Sequence, residues 1–383
     1  YNIVCLSFWK NHLSSGVQRV PNINVLIKPA SGMCNIRCRY CFYHDEMMNR
    51  EVESYGFMSE QTLEQVIKKA IDFSDTACTI AYQGGEPTLR GLEFFKKSIE
   101  YQKRHNAKRL HISNAIQTNG ICIDREWAAF FKENKFLVGI SLDGTEFTHN
   151  SFRSDSKGNG TYEKVLKAIE LLREYEVDFN ILTVVNALTA KKINQIYEFY
   201  RQNNFQYLQF IPCLNPLGRE GERFDFTLTP KAYSLFLRTL FDLWYEDLKR
   251  GRVVHIQQFE GYVKLLLLMQ PDLCGMSGIC ACQHVIEADG EVYPCDFYVL
   301  DEFRLGNLNQ VSFDEVNRRR KEIQFIEQSF QVHEDCKRCR YFPICRGGCR
   351  RHRTSQNCFC SSYHEFFDYA IERLEEVAGW YNA

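Results

Sequence analysis

Three cysteines within eight residues, Cys34, Cys38 and Cys41 in segment 28–43 (KPASGMCNIRCRYCFY), constrain this chain more than any other feature. Thiolates so spaced can take three corners of a 4Fe-4S cube, whereas a closed cube uses four. One iron is then left without a protein ligand. An open coordination position separates a site that performs chemistry from one that only holds structure, so the triplet reads as catalytic. A fragment of a zinc site is the alternative, but zinc favours closed four-ligand sets with C-x2-4-C spacing, and the run offers three cysteines.

The remaining cysteines extend that reading. Seventeen in 383 residues are too many for packing alone, and a chain of this size needs no disulfides to stabilise it. They cluster as C-x3-C-x2-C and C-x2-C-x5-C-x3-C, which suits iron-sulfur or zinc binding in a reducing cytoplasm, the expected location. Forty-seven Lys and Arg balance 48 Asp and Glu, leaving no broad basic field for nucleic acid or a membrane surface, so a small molecule or protein segment is the expected ligand. The longest apolar run, around 265–269, is far short of the ~18 to 20 residues that span a bilayer. The apolar opening, 1–9, lacks a basic leader and a small-residue cleavage site. Residues 1–22 are set apart as an extension of unknown role, Cys5 included.

Apolar, β-branched runs predict six strands, at 25–28, 78–83, 110–117, 136–141, 179–185 and 207–211. Segments of 3.6-residue periodicity lie between them, at 59–73, 91–105, 124–134, 161–174 and 190–203, with Ser59 and Asp124 as N-caps. Repeated βα units imply an α/β fold with a parallel sheet. Periodicity does not decide between an open doubly wound sheet and a partial barrel. In either, ligands sit beyond the carboxyl ends of the strands, where the triplet, Gly84-Gly85-Glu86-Pro87, Gln117-Thr118-Asn119-Gly120 and Ser141-Leu142-Asp143-Gly144 all fall. Singly, each of the last three is an ordinary turn signal. Helices are expected again at 227–250 and 259–270, and the arginine run 318–320 reads as a solvated helix face.

With an aromatic, Tyr40, before the last cysteine of the triplet and Gly84-Gly85-Glu86-Pro87 downstream, the chain resembles radical S-adenosylmethionine (SAM) enzymes, from about residue 25 to 367. It is most similar to the anaerobic sulfatase-maturating enzymes, whose C-terminal region is of the SPASM type. The resemblance implies a partial (β/α)6 TIM-like barrel over 23–250, followed over 251–383 by linker helices and a cysteine-rich domain holding two auxiliary clusters. It implies three 4Fe-4S clusters, the first leaving one iron for SAM, and SAM contacts at Tyr40, Gly85, Ser141, Arg153 and Leu214. A hydroxyl and a guanidinium suit Ser141 and Arg153 to ribose and carboxylate oxygens; for Leu214, simple packing is nearly as good a reading.

The C-terminal third carries ten thiols where two closed cubes need eight. The resemblance assigns one auxiliary cluster to Cys274, Cys280, Cys295 and Cys349, and the other to Cys336, Cys339, Cys345 and Cys360. Cys360 is taken over Cys358 because the Ser-Ser-Tyr after it fits the family ending better. A zinc knuckle of Cys336, Cys339, Cys345 and Cys349 is the competitor. Cys78, Cys213 and Cys122 are expected as small buried apolar residues.

Asp296, directly after Cys295, reads alone as a turn former. The resemblance makes it the catalytic base, a proton acceptor beside an electron acceptor, with Tyr43 and Gln83 lining the same pocket. The implied reaction passes through a 5'-deoxyadenosyl radical and oxidises the Cys or Ser of a C/S-x-P-x-R segment of an unfolded sulfatase to Cα-formylglycine. A donor such as flavodoxin or ferredoxin would supply electrons. A SPASM peptide maturase forming thioether or carbon-carbon crosslinks is the rival within the enzyme class. A multi-cluster electron-transfer protein is the rival outside it, although closed sites would serve that role.

Overall fold

The computed structural model describes residues 22–381, so Cys5 and the expected extension, its last residue excepted, lie outside it. Six strands run side by side in chain order: β1 (Ile23–Ile27), β2 (Ala77–Tyr82), β3 (His111–Thr118), β4 (Phe136–Ser141), β5 (Phe179–Val185) and β6 (Tyr207–Pro212). Every neighbouring pair is parallel. A doubly wound sheet reverses its strand order at a switch point; here each strand is added outside the last, the winding of a barrel. The barrel is partial, because other strands occupy both edges. β7 (His255–Ile256) flanks β6, and β8 (His284–Ile286) flanks β1.

The C-terminal region is thus joined to the barrel through the sheet itself. β8 runs parallel to β1, and β9 (Glu291–Tyr293) and β10 (Gly306–Asn307) continue outward antiparallel. The longer helices are α1 (Phe42–Met48), α2 (Glu60–Phe73), α3 (Leu92–His105), α4 (Arg125–Glu133), α5 (Tyr162–Glu174), α6 (Ile193–Gln202), α7 (Pro230–Lys249), α8 (Gln257–Leu266), α9 (Phe313–Glu322) and α10 (Cys360–Trp380). Ser59 caps α2 by accepting from Thr62 N–H at 3.0 Å, and Asp124 caps α4 by accepting from Glu126 and Trp127 N–H. The stripe Leu63, Val66, Ile67, Ala70 and Ile71 then turns one face of α2 into the core. α10 lies along α7, with Phe366 edge-on to Phe241, Tyr245 stacked on Trp380, and Arg373 Nη1 2.8 Å from Asp242.

Three expectations need correction. The helix over 190–203 is two, Ala187–Lys191 and Ile193–Gln202, and that over 259–270 ends at Leu266, after which Leu268 takes a left-handed φ of 57°. The arginine run is not uniformly solvated. Arg318 and Arg319 are exposed beside Glu322, but Arg320 shares the inner face of α9 with Phe313 and Val316, at i, i+3 and i+7, and is 2% exposed.

Candidate active site

The loop leaving β1 carries the triplet. A short antiparallel pair, Ile36–Cys38 with Arg153–Asp155, fixes it against the loop after β4, and α1 begins immediately after Cys41. Cys34 is exposed, and Cys38 and Cys41 are half-buried. Burial pushes the Cys38 thiol up to about 12, with Cys41 and Asp143 adding to the rise against Arg153. Although part of Cys34 reaches solvent, the protein packed around its thiol, then Glu86, then Cys38 and Cys41 push it up as well. Thiols this reluctant to ionise together become thiolates when a metal centre displaces their protons. Two donors already face the sulfurs, Asn119 Nδ2 at 3.7 Å from Cys34 Sγ and Arg153 Nη1 at 3.6 Å from Cys38 Sγ. Three soft ligands at one rim, one of them open to solvent, fit a cluster with an accessible iron.

Tyr40 and Arg153 meet on a residue the sequence marked only as part of a turn. Asp143 is wholly buried and accepts from Tyr40 OH, from Arg153 Nε at 2.9 Å and from Val184 N–H at 2.9 Å. It therefore aims the guanidinium that touches Cys38. Glu86 plays the same part on the other side. Fully buried, it accepts from Thr118 Oγ1 at 2.7 Å and Asn119 N–H at 2.8 Å, joining the loops after β2 and β3.

Glycine is required beside it. Gly84 has a φ of +121°, and a Cβ on Gly85 would stand 2.0 Å from Met33 O, so the β2 loop can lie directly on the cluster loop. Gly85 N–H donates to Ser31 O at 2.8 Å. Ser141 Oγ, half-buried at the end of β4, accepts from Gln117 Nε2 at 3.1 Å. Leu214 is half-buried just past β6. Cys78 and Cys213 are buried, as expected; Cys122 is only half-buried and accepts from Asn35 Nδ2 at 3.4 Å.

Asp296, 1% exposed, comes from the C-terminal region but hangs into the barrel. Tyr43 OH, two residues past Cys41, donates to its Oδ2, and Gln83 Nε2 from the end of β2 lies 3.3 Å from the same oxygen. Phe42 packs on Phe297 with ring centroids 5.0 Å apart. Below them Lys28 Nζ sits 4.6 Å over the Tyr43 ring and 3.2 Å from Glu287, which also meets Arg50 Nη1 at 2.8 Å. Burial would raise the Glu287 carboxyl, but Lys28 and Arg50 hold it below its ordinary value. On α1, burial pushes the Glu46 carboxyl well up, with Lys28 opposing the rise and Asp296 adding to it.

The C-terminal thiols separate into two sets. Burial raises Cys295, followed by Cys274, Cys280 and Cys349. Burial pushes Cys345 up to about 11, and Cys360, Cys336 and Cys339 act on it in turn. Cys349, which a zinc knuckle would join to Cys336, Cys339 and Cys345, has Cys274 as its strongest thiol neighbour. Cys358 is exposed, and its thiol neighbour is Cys349. All sixteen described cysteines are free, and among the described residues no three His, Cys, Asp or Glu side chains close on one point tightly enough for a single metal ion. Four thiols in each set match the donor count of a closed cube.

Residues 29–200 match the radical SAM superfamily, and residues 279–340 match the SPASM iron-sulfur cluster-binding domain. The chain is 49% identical over 366 residues to a cysteine-type anaerobic sulfatase-maturating enzyme of Clostridium perfringens, covering 94% of this chain and 99% of the relative. It is 32% identical to a serine-type enzyme of Bacteroides thetaiotaomicron, covering 92% of this chain and 90% of that one. The solved structure of native anSMEcpe with bound AdoMet and Kp18Cys peptide superposes with a TM-score of 0.90 at 48% identity, over 94% of this chain and 99% of that one. An open thiol triplet at the rim of a partial barrel and a cysteine-rich region sharing its sheet thus coincide with near-full-length likeness, and the chain belongs to the anaerobic sulfatase-maturating enzymes, radical SAM proteins with a SPASM domain.

Proposed function

We propose that this enzyme oxidises the cysteine of a C-x-P-x-R segment in an unfolded sulfatase to Cα-formylglycine, with Asp296 as the proton acceptor. The observation that carries the reading is the meeting of Tyr43, Gln83 and Asp296: a carboxylate from the auxiliary-cluster region is held by a residue of the helix that starts directly after the triplet. Cysteine is favoured over the serine of S-x-P-x-R because the cysteine-type relative is 49% identical and the serine-type relative 32%.

In this reading residues 23–250 form the radical SAM domain and 251–383 carry the auxiliary clusters. Cys34, Cys38 and Cys41 hold the first cluster, and Tyr40, Gly85, Ser141, Arg153 and Leu214 form the SAM site. Cys274, Cys280, Cys295 and Cys349 hold one auxiliary cluster; Cys336, Cys339, Cys345 and Cys360 hold the other. When bound, SAM and the clusters supply hydrogen-atom abstraction and an electron sink. The protein's own share is positional. Gly84 and Gly85 let backbone approach the cofactor edge, while Asp143 and Glu86 fix the donors around the triplet. Asp296 takes the thiol proton of the target, and Tyr43 and Gln83 hold its carboxylate in place. A reducing cytoplasm and a one-electron donor such as flavodoxin or ferredoxin complete the proposal.

Anaerobic incubation of reduced enzyme with SAM and a peptide containing C-x-P-x-R tests it. The expected product is lighter by the cysteine-to-formylglycine difference. A crosslinked product, or none, overturns the reading.

A further inference from the structure

Arg320 is a buried cation that the assigned chemistry does not use. On α9 it turns inward while Arg318 and Arg319 face solvent. Among the described residues its one hydrogen bond is from Nη1 to Pro294 O, at 3.5 Å, the outer limit of such a contact. Nε and Nη2 have no partner. Guanidinium does not give up its proton in proteins, so the group is charged wherever the fold puts it.

What surrounds it is almost neutral. His284 on β8, facing Arg320, is driven down to about 3 by burial and then by that arginine, so it carries no charge. Its Nε2 and Cys282 Sγ share Asn317 Oδ1, at 3.0 and 3.7 Å, and its ring meets Phe313 edge-on. The acidic partners of Arg320 are thiols, Cys282 and Cys295. A buried charge without a counter-charge is strongly disfavoured. The fold tolerates Arg320 if something anionic stands on its Cys295 side, and four thiolates around an iron-sulfur cube are anionic.

We infer that Arg320 is the counter-charge and hydrogen-bond donor of the auxiliary cluster held by Cys274, Cys280, Cys295 and Cys349, and that it raises that cluster's reduction potential. The inference rests on the ligand assignment proposed above. Cluster potentials respond to net charge and to hydrogen bonds on sulfur, and a fixed cation favours the form with one more electron. Because Asp296 follows Cys295, this cluster is the one beside the departing proton. Arg320 is a tuning residue rather than a catalytic one, since it acts through the cluster.

The test is a redox titration of the anaerobically reconstituted enzyme followed by electron paramagnetic resonance, with iron content measured alongside. Cys295→Ser, run in parallel, identifies the signal of this cluster. Arg320→Gln is expected to keep the iron content and lower the midpoint of that signal alone, by at least the ~59 mV that marks a tenfold change in a one-electron equilibrium. Arg320→Lys, which keeps the charge and loses the planar fork, should lower it by less. If Cys295→Ser alters no cluster signal, the ligand assignment has failed. If it alters one and Arg320→Gln leaves that midpoint in place, the role of Arg320 alone has failed. Should Arg320→Gln not fold, Arg320→Lys decides: a smaller downward shift of the same signal supports the inference, and no shift overturns it.

Discussion

Removing Glu287 should unsettle both the fold and the site, because one carboxylate sits between two cations at the seam of β1 and β8. The side chains of Lys28, Arg50 and Glu287 are 2%, 1% and 0% exposed, with contacts of 3.2 and 2.8 Å. At an effective dielectric constant of about 20 these attractions amount to about 5 and 6 kcal/mol. Desolvation cancels most of that, so the cost of deletion comes from stranding buried cations, about 3 to 5 kcal/mol. Glu287→Gln keeps the shape and removes the charge. Urea unfolding of the reconstituted protein under anaerobic conditions should give a lower midpoint at unchanged slope.

The pH dependence follows from the same contacts. The folded Glu287 carboxyl lies below its ordinary 4.5 because Lys28 and Arg50 outweigh burial. Its contribution is therefore present above that value and is lost as pH falls through the folded one. The gap between wild type and Glu287→Gln should close in acid. A gap below about 1 kcal/mol at neutral pH, the scale of an exposed ion pair, would refute the reasoning.

Three further outcomes follow from the geometry. Tyr43→Phe removes a hydrogen bond to a buried carboxylate, worth about 1.5 to 3 kcal/mol, so single-turnover peptide oxidation should fall about ten- to hundredfold with the iron content intact. Gly85→Ala would push a Cβ to 2.0 Å from Met33 O, and equilibrium dialysis should show SAM affinity reduced by at least about tenfold, since backbone rather than a flexible side chain must move. Cys360→Ser should lower bound iron and Cys358→Ser should not, because Cys336, Cys339 and Cys345 face the first and Cys349 faces the second.

The order of strands and helices was legible because its signals are local, whereas their closure into a partial barrel came from the resemblance. Each of the six strands is five to eight residues long, amphipathic helices lie between them, two with caps visible in Ser59 and Asp124, and tertiary contacts moved the ends and split the helix expected over 190–203. The edge strands β8, β9 and β10 were not legible. Two or three residues (HVI, EVY, GN) carry no periodicity; pairing of β8 with β1 across the length of the chain, and of β9 and β10 outward from β8, makes them strands. Like charge hid the inner face of α9, since a run of three arginines looks solvated although only two of them are.

In the site, the triplet was marked by spacing and Asp296 by resemblance. Asp143 looked like half of an Asp-Gly turn. Its importance comes from Tyr40, Arg153 and Val184, which no local window brings together. A buried acid flanked by Leu142 and Gly144 at a strand end was the available clue.

The account turns on Asp296 as the place where the target gives up its proton. The most direct measurement is the ratio of peptide oxidised to SAM cleaved by Asp296→Asn, in anaerobic single turnover with a C-x-P-x-R peptide. We predict that 5'-deoxyadenosine still forms while formylglycine falls by about a hundredfold or more, within the range general-base catalysis contributes. Formylglycine at the wild-type ratio would contradict the account.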